Sequence, residues 1–384
     1  MSDIQTAGEA AFPGVRAATA SAIAMLCLLS LVGLASLADM LDGPGTVRQE
    51  LVAQTPELSA DPRALRSFPR RARHYVTERY ALKDPFVSLN GSVMLGVFGR
   101  SPYPKVLVGE SGILFLNHEG TLEAAQGRPP AARDEAWIAM FERMDAAFRS
   151  RGIPLVQVIA PDKAAVLPEA LPRWVAPVPV PRSSQLAAKM RDSTAPQPVD
   201  LARVFRRLRR DPLAFPLYHA TDTHWTEYGA ARGIDAALAP VLGARALPPL
   251  KVRAVPAQGG DLARMVGRQA AIRARAPQVL RPGPGSCSAP GVADLHLQTI
   301  DPLSLPEFTC RNPDAPQGHA LVFMDSFGMA AAPRLAQIFR RVDFLWQDEV
   351  DMAAVDRLRP DIALRIMVGR KLQSASPAGM FAAP

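Results

Sequence analysis

The stretch TDTHWTEYGA, residues 221–230, places a carboxylate, Asp222, two positions before an imidazole, His224, and a helical run follows at once. The pairing suits general-base chemistry. Histidine is the side chain whose pKa lies nearest neutrality, and a neighbouring carboxylate fixes its tautomer and stabilises the imidazolium. Such a base needs a nucleophile, and LVFMDSFGMAAA, residues 321–332, offers one. Its apolar start reads as a strand, Asp325 and Ser326 follow, and Gly328 permits a tight turn into a helix. Ser326 then sits at a strand end beside a helix N-terminus, where backbone N–H groups face developing negative charge. Ser326 as nucleophile, His224 as base and Asp222 as orienting carboxylate form a candidate triad. Asp222 is expected on a turn that curls back to Nδ1 of His224, with Thr226 as N-cap of the next helix. The same residue types also suit an Asp that caps a turn beside a structural histidine.

Other candidates are weaker. Residues 109–112, GESG, approach the nucleophile-elbow pattern G-x-S-x-G, but position 113 is Ile and the surroundings read as a hairpin, so Ser111 is a turn residue. A metal held by Asp222, His224 and Glu227 is not expected, because no second histidine lies at ligand spacing. The remaining histidines, at 74, 118, 219, 296 and 319, read as surface or structural.

The elements that must position these groups alternate between strand and helix, the signature of an α/β sheet whose catalytic groups sit at strand C-terminal ends. VLVGESGILFL reads as a hairpin and residues 133–151 as a helix. IPLVQVIA is apolar enough for a strand buried on both faces of a parallel sheet. Helices are expected near 182–192, over LARVFRRLRR and after Thr226, with short strands leading to Asp200 and ending at His219. After the serine, a helix, the strand RVDFLW, a helix end and a last strand complete the pattern. Residues 244–318, rich in Pro, Arg and Gly, read as an irregular insertion.

Residues 17–38 carry no charge, and about 22 residues span the roughly 30 Å of a bilayer core. Arg16 precedes the run and Asp39 and Asp42 follow it, which orients the chain out of the cytoplasm. The expected organisation is a cytoplasmic tail (1–16), a transmembrane anchor or signal sequence (17–38), a linker and first helix (39–84) and a catalytic domain (85–384). An exported domain meets an oxidising compartment, where Cys287 and Cys310 suit one disulfide of about 3 kcal/mol or else stay free. The net charge of +8 favours anionic partners. Nucleic acid is not expected, since no basic patch is interleaved with aromatics.

At these same residues the chain resembles the alginate O-acetyltransferase family of the AlgJ/AlgX type, whose core is an SGNH-hydrolase-like domain. TDTHWTEYGA resembles the family's D-T-H-W-x-x-x-G-A block, VLVGESGILFL its hairpin with Ile113 for the usual Trp, and APDKAAVLPEALP its P-x-K segment. MDSFG resembles the serine block, with Met324 for the usual Gly, and the tail from Arg341 resembles the closing helix and strand without the acidic residue usual before Arg370. The resemblance spans about residues 85–372. It implies an SGNH-like parallel sheet flanked by helices, the triad Ser326, His224 and Asp222, and an inner-membrane anchor with a periplasmic domain. Only 58 residues follow Ser326, too few for the carbohydrate-binding module of AlgX-type members, so the likeness is to the shorter AlgJ form. No cofactor is implied. The implied partners are a secreted polysaccharide as acceptor and a membrane-bound O-acyltransferase as acetyl donor. Lys163 and Arg100 are candidate substrate contacts. The same triad also serves an acetyl esterase, and a non-catalytic polysaccharide-binding or scaffold role is the remaining alternative.

Overall fold

The computed structural model describes residues 83–126, 133–280, 285–290, 292, 293, 295 and 305–381, with Ser30, Phe68 and Pro69 besides. The chain divides into two compact units, Met1–Asn90 and Gly91–Pro384, and the second holds the sheet and the candidate site. The expected tail, the anchor (Ser30 apart) and most of the linker lie outside the described residues. Among the described residues no helix is long and apolar enough to cross a membrane.

In chain order the elements are α1 (Lys83–Gly96), β1 (Val106–Val108), β2 (Leu114–Leu116), α2 (Thr121–Ala125), α3 (Asp134–Arg149) and β3 (Leu155–Ala160). Then come α4 (Lys163–Val166), α5 (Arg182–Lys189), α6 (Leu201–Leu208), α7 (Glu227–Leu242), β4 (Val252–Gln258), α8 (Asp261–Met265) and β5 (Arg273–Val279). The last are β6 (Ser286–Ser288), β7 (Glu307–Arg311), β8 (Gln317–Met324), α9 (Gly328–Ile338), β9 (Phe339–Trp346), α10 (Met352–Leu358), β10 (Ile362–Val368) and α11 (Lys371–Ser374).

The nearly continuous apolar runs of β3, β8 and β10 lie side by side and largely buried in a six-stranded sheet of order β3-β10-β8-β9-β7-β6, with β3 at one edge. Alternate residues feed two cores. Val156, Val158, Val322 and Leu364 pack with Phe205, Trp225, Ile234 and Leu335 on one face. Leu155, Ile159, Phe323 and Met367 pack with Trp137, Phe141, Met144, Phe148 and Val355 on the other. The helix α3 serves that second face because its apolar residues recur at helical spacing.

Three expectations are corrected. The sheet is mixed, since β3, β10, β8 and β9 are parallel while β7 and β6 add antiparallel. The strands expected before Asp200 and His219 do not form, and near the second only an isolated bridge joins Tyr218 to Trp225. Pro196, Pro198, Pro212 and Pro216 remove the donors a ladder needs there. The region 244–318 is not irregular where described. β4 and β5 make an antiparallel ribbon, α8 follows the first of them, and β6 and β7 extend the main sheet. Pro256 and Pro277 disguise the ribbon, but a two-stranded ribbon has only edges, where proline is tolerated. Cys287 and Cys310 are cross-strand partners joined by a disulfide.

Candidate active site

The carboxyl ends of the parallel strands converge on one rim, as in other open α/β sheets. β8 ends at Met324 and the chain turns through Asp325, Ser326 and Phe327 into α9. Asp325 holds this turn from within. Its Oδ1 accepts the Phe327 N–H at 3.0 Å and its Oδ2 accepts the Val368 N–H from the end of β10 at 2.8 Å. Lys371 approaches the same oxygen at 3.2 Å. Gly328 is required, because a Cβ there would lie 2.4 Å from Met324 Cβ. Among the described residues the Ser326 N–H donates to no acceptor, which leaves it open to a bound oxygen.

The loop 219–225 delivers the other two groups. Asp222 Oδ1 accepts from the His224 backbone N–H at 2.8 Å and lies 2.7 Å from Nδ1 of the same residue, the curled-back turn the spacing requires. His224 Nε2 lies 2.9 Å from Ser326 Oγ. The structure thus brings Asp222, His224 and Ser326 into one hydrogen-bonded chain. Thr226 caps α7 as expected, accepting the Gly229 N–H at 3.0 Å. Three segments, β2, α8 and the serine turn, pin the loop through four bonds. The Leu114 N–H donates to Ala220 O at 2.8 Å, Ala263 N–H to Thr221 O at 3.0 Å, Asp261 N–H to Asp222 Oδ2 at 2.9 Å, and Trp225 Nε1–H to Phe327 O at 2.9 Å.

Charge tunes the chain. Burial pulls the His224 pKa down, but the Asp222 hydrogen bond and the charges of Asp222 and Asp261 outweigh it, and the net shift is upward. Burial pushes Asp222 up, yet the His224 hydrogen bonds and charge hold it well below the usual carboxylate range. An ionised Asp222 beside a basic His224 is what an imidazole needs to take a serine proton.

Lys163, expected to touch substrate, is a correction. It is only 5% exposed, and Nζ donates to Leu114 O at 2.7 Å and Ala220 O at 3.4 Å. It therefore clamps β2 to the histidine loop, and burial lowers its pKa to about 7. Arg100 is exposed, and its side chain makes no hydrogen bond or ion pair among the described residues. Ser111 stands in the hairpin turn with φ 55°, as a turn residue. Glu227 accepts the Val279 N–H at 2.7 Å. Donor atoms of Asp222, His224 and Asp261 do lie within 4.8 Å of one another. Both Asp222 oxygens and Asp261 Oδ1 are already occupied by N–H donors, so the cluster is committed within the protein. His319, read as surface or structural, lies 2.7 Å from Asp343 Oδ2.

Two groups escaped the sequence. Asp261 reaches the histidine from α8, where only the Gly259-Gly260-Asp261 turn hinted at a close approach. Arg370 sits over the Phe327 ring at 5.6 Å and pairs with Glu119 at 2.7 Å and Asp162 at 3.5 Å, carboxylates remote in sequence.

Residues 106–283 match the family model described as SGNH hydrolase-like domain, acetyltransferase AlgX; the match includes Asp222 and His224 and ends before Ser326. No curated protein matches the chain. Among solved structures, PatB1 of Bacillus cereus is similar at a TM-score of 0.52 and 13% identity, over 71% of this chain and 99% of that one. A DHHW family protein from Eubacterium siraeum is similar at a TM-score of 0.51 and 12% identity, over 72% and 93%. The O-acetyltransferase domain of Pseudomonas putida AlgJ aligns at a TM-score of 0.44 and 19% identity, over 70% and 93%. Over residues 106–283, a little under half of its length, the chain is thus similar to SGNH hydrolase-like, AlgX-type acetyltransferase domains.

Proposed function

We propose that the protein is a serine-dependent O-acetyltransferase that moves acetyl groups onto hydroxyls of a secreted polysaccharide. The observation that carries this reading is the chain from Asp222 through His224 to Ser326 Oγ, with legs of 2.7 and 2.9 Å. Ser326 Oγ attacks the carbonyl carbon of an acetyl donor while its proton passes to His224 Nε2. The tetrahedral oxyanion takes the Ser326 N–H at the head of α9. Its collapse expels the donor's leaving group, which takes the proton from His224. A sugar hydroxyl then attacks the acetyl-serine, gives its proton to His224, and leaves as the acetate ester as that proton returns to Ser326.

The chemistry needs an activated acetyl donor and a hydroxyl acceptor. The Cys287–Cys310 disulfide fits an oxidising space, in keeping with a periplasmic domain on an inner-membrane anchor. In that space a membrane-bound O-acyltransferase is the proposed source of acetyl.

The test is mass spectrometry of the protein after exposure to an activated acetyl ester, with oligosaccharides as acceptors. The expected result is an acetyl adduct on Ser326, absent in Ser326→Ala, that passes to sugar. Loss of the adduct to water alone would make the protein an esterase. A folded protein with no adduct would remove the catalytic reading and leave a binding role.

A further inference from the structure

The imidazole of His224 faces two carboxylates. Asp222 Oδ1 lies 2.7 Å from Nδ1, and Asp261 Oδ2 lies 3.7 Å from the same nitrogen. Asp261 opens α8 and arrives from the region after α7. Its two carboxylate oxygens are used differently. Oδ1 accepts the Thr223 N–H and the Leu262 N–H, both at 2.6 Å. Among the described residues Oδ2 accepts no hydrogen bond. Its backbone N–H meanwhile donates to Asp222 Oδ2 at 2.9 Å.

This approach depends on Gly260. A Cβ there would lie 2.2 Å from Asp222 Cβ and 2.3 Å from its Oδ2. The residue before Asp261 is thus bare where the two aspartates come together. Holding two carboxylates side by side is costly, and burial together with the Asp222 charge pushes the Asp261 pKa up. The cost is offset most when a positive charge stands between them.

We propose that Asp261 is a positioning residue of this site: its N–H fixes Asp222, and its unbonded carboxylate oxygen stabilises the His224 imidazolium that forms whenever Ser326 or the acceptor hydroxyl gives up its proton. The proposal rests on the acyl-transfer reading for its purpose, though not for its electrostatics. The charged groups around His224 are Asp222, Asp261 and, opposing them, Arg370. Lys163 faces both aspartates, and His219 faces Asp222, Lys163 and His224. A bulk pH profile mixes these groups, so the histidine itself has to be observed.

Asp261→Asn keeps an oxygen for the Thr223 and Leu262 N–H groups and keeps the backbone N–H to Asp222, and replaces the charged oxygen that faces His224 with a neutral NH₂ group. NMR titration of the His224 ring would be recorded with Asp261 and with Asn, in protein carrying Ser326→Ala. The expected result is a midpoint about one pH unit lower in Asp261→Asn. With Ser326 restored, the acid limb of acetyl-serine formation moves down with it, at unchanged KM for the ester. A folded Asp261→Asn protein with an unmoved His224 midpoint overturns the proposal. If that variant does not fold, the Asp261 carboxyl carbon in the otherwise unaltered protein is followed instead. It is expected to shift through the His224 transition, and a flat response there overturns the proposal. The ring titration needs no turnover, so a protein that never acetylates would sink the acyl-transfer reading and still leave the Asp261 result readable.

Discussion

The Trp225 indole N–H donates to the Phe327 carbonyl at 2.9 Å, so the residue after the histidine grips the residue after the serine. The two loops come from segments about 100 residues apart, yet this bond runs beside the one between His224 and Ser326. Both Trp225 and Phe327 are fully buried, and their rings lie 5.6 Å apart. Trp225→Phe keeps most of the ring and removes the donor. It leaves a buried carbonyl unsatisfied, at a cost of about 1–3 kcal/mol. The single-turnover rate of Ser326 acetylation is expected to fall about 10-fold to 100-fold, because small misplacements of reacting groups cost that much. An unchanged rate in this variant would mean that the serine turn is held independently of the tryptophan.

The pH dependence follows from the two shifted groups of the chain. His224 must be neutral to act as base, and its pKa is raised. The acid limb of Ser326 acetylation is therefore expected above the ordinary imidazole value of about 6.5. Stability has the opposite sign for this group. A raised histidine stabilises the fold below its unfolded value, and that contribution is lost as pH rises through the folded one. Asp222, depressed, contributes above about 3.9 and loses its contribution as pH falls through its folded value. Asp222→Asn removes the charge that raises His224 and offers Nδ1 the wrong partner. The expected loss is about 10³–10⁴-fold in acetylation rate, with the acid limb moved down. A limb that stays in place in Asp222→Asn would separate His224 from this carboxylate.

The grouping of the candidate site was more legible than its scaffolding. The hydrogen-bonded chain of Asp222, His224 and Ser326 could be anticipated because a serine at a strand end and a carboxylate two residues before a histidine are informative positions. The buried strands could be found because β3, β8 and β10 are nearly unbroken apolar runs. Asp261 could not, since its contact with His224 closes across 37 residues of chain and depends on the bare backbone of Gly260. The ribbon of β4 and β5 was hidden by prolines that only an edge tolerates. Lys163 was misread for a different reason. Lysines are usually solvated, and nothing local marks one whose ammonium is spent on two backbone carbonyls.

Lys163 gives a stability prediction independent of catalysis. Burial lowers its pKa from 10.5 to about 7. Between those values the unfolded chain holds a proton that the folded chain lacks, so stability rises with pH across the window. Lys163 contributes a slope approaching about 1.4 kcal/mol per pH unit. In Lys163→Met that part of the slope disappears, and Leu114 O loses its donor. Urea unfolding at pH 7 and at pH 9 compares the two proteins. Parallel slopes would mean that Lys163 keeps its proton when folded.

The serine turn depends on a carboxylate that does no chemistry. Asp325 takes the Phe327 N–H on one oxygen and the Val368 N–H on the other, at 3.0 and 2.8 Å. It therefore locks the residue after Ser326 to the end of β10. Asp325→Asn must present an NH₂ group to one of these two donors, and no rotation of the amide avoids it. The expected cost is about 1–3 kcal/mol, seen as a melting temperature lower by several degrees. Because the turn carries Ser326, the acetylation rate should fall further than stability alone predicts, at temperatures where the variant is fully folded. Lys371→Met removes a cation from the same carboxylate and leaves both N–H contacts in place, so it should cost less on both counts. A variant Asp325→Asn that melts lower yet acetylates at the full rate would show that Ser326 is placed by β8 and α9 alone.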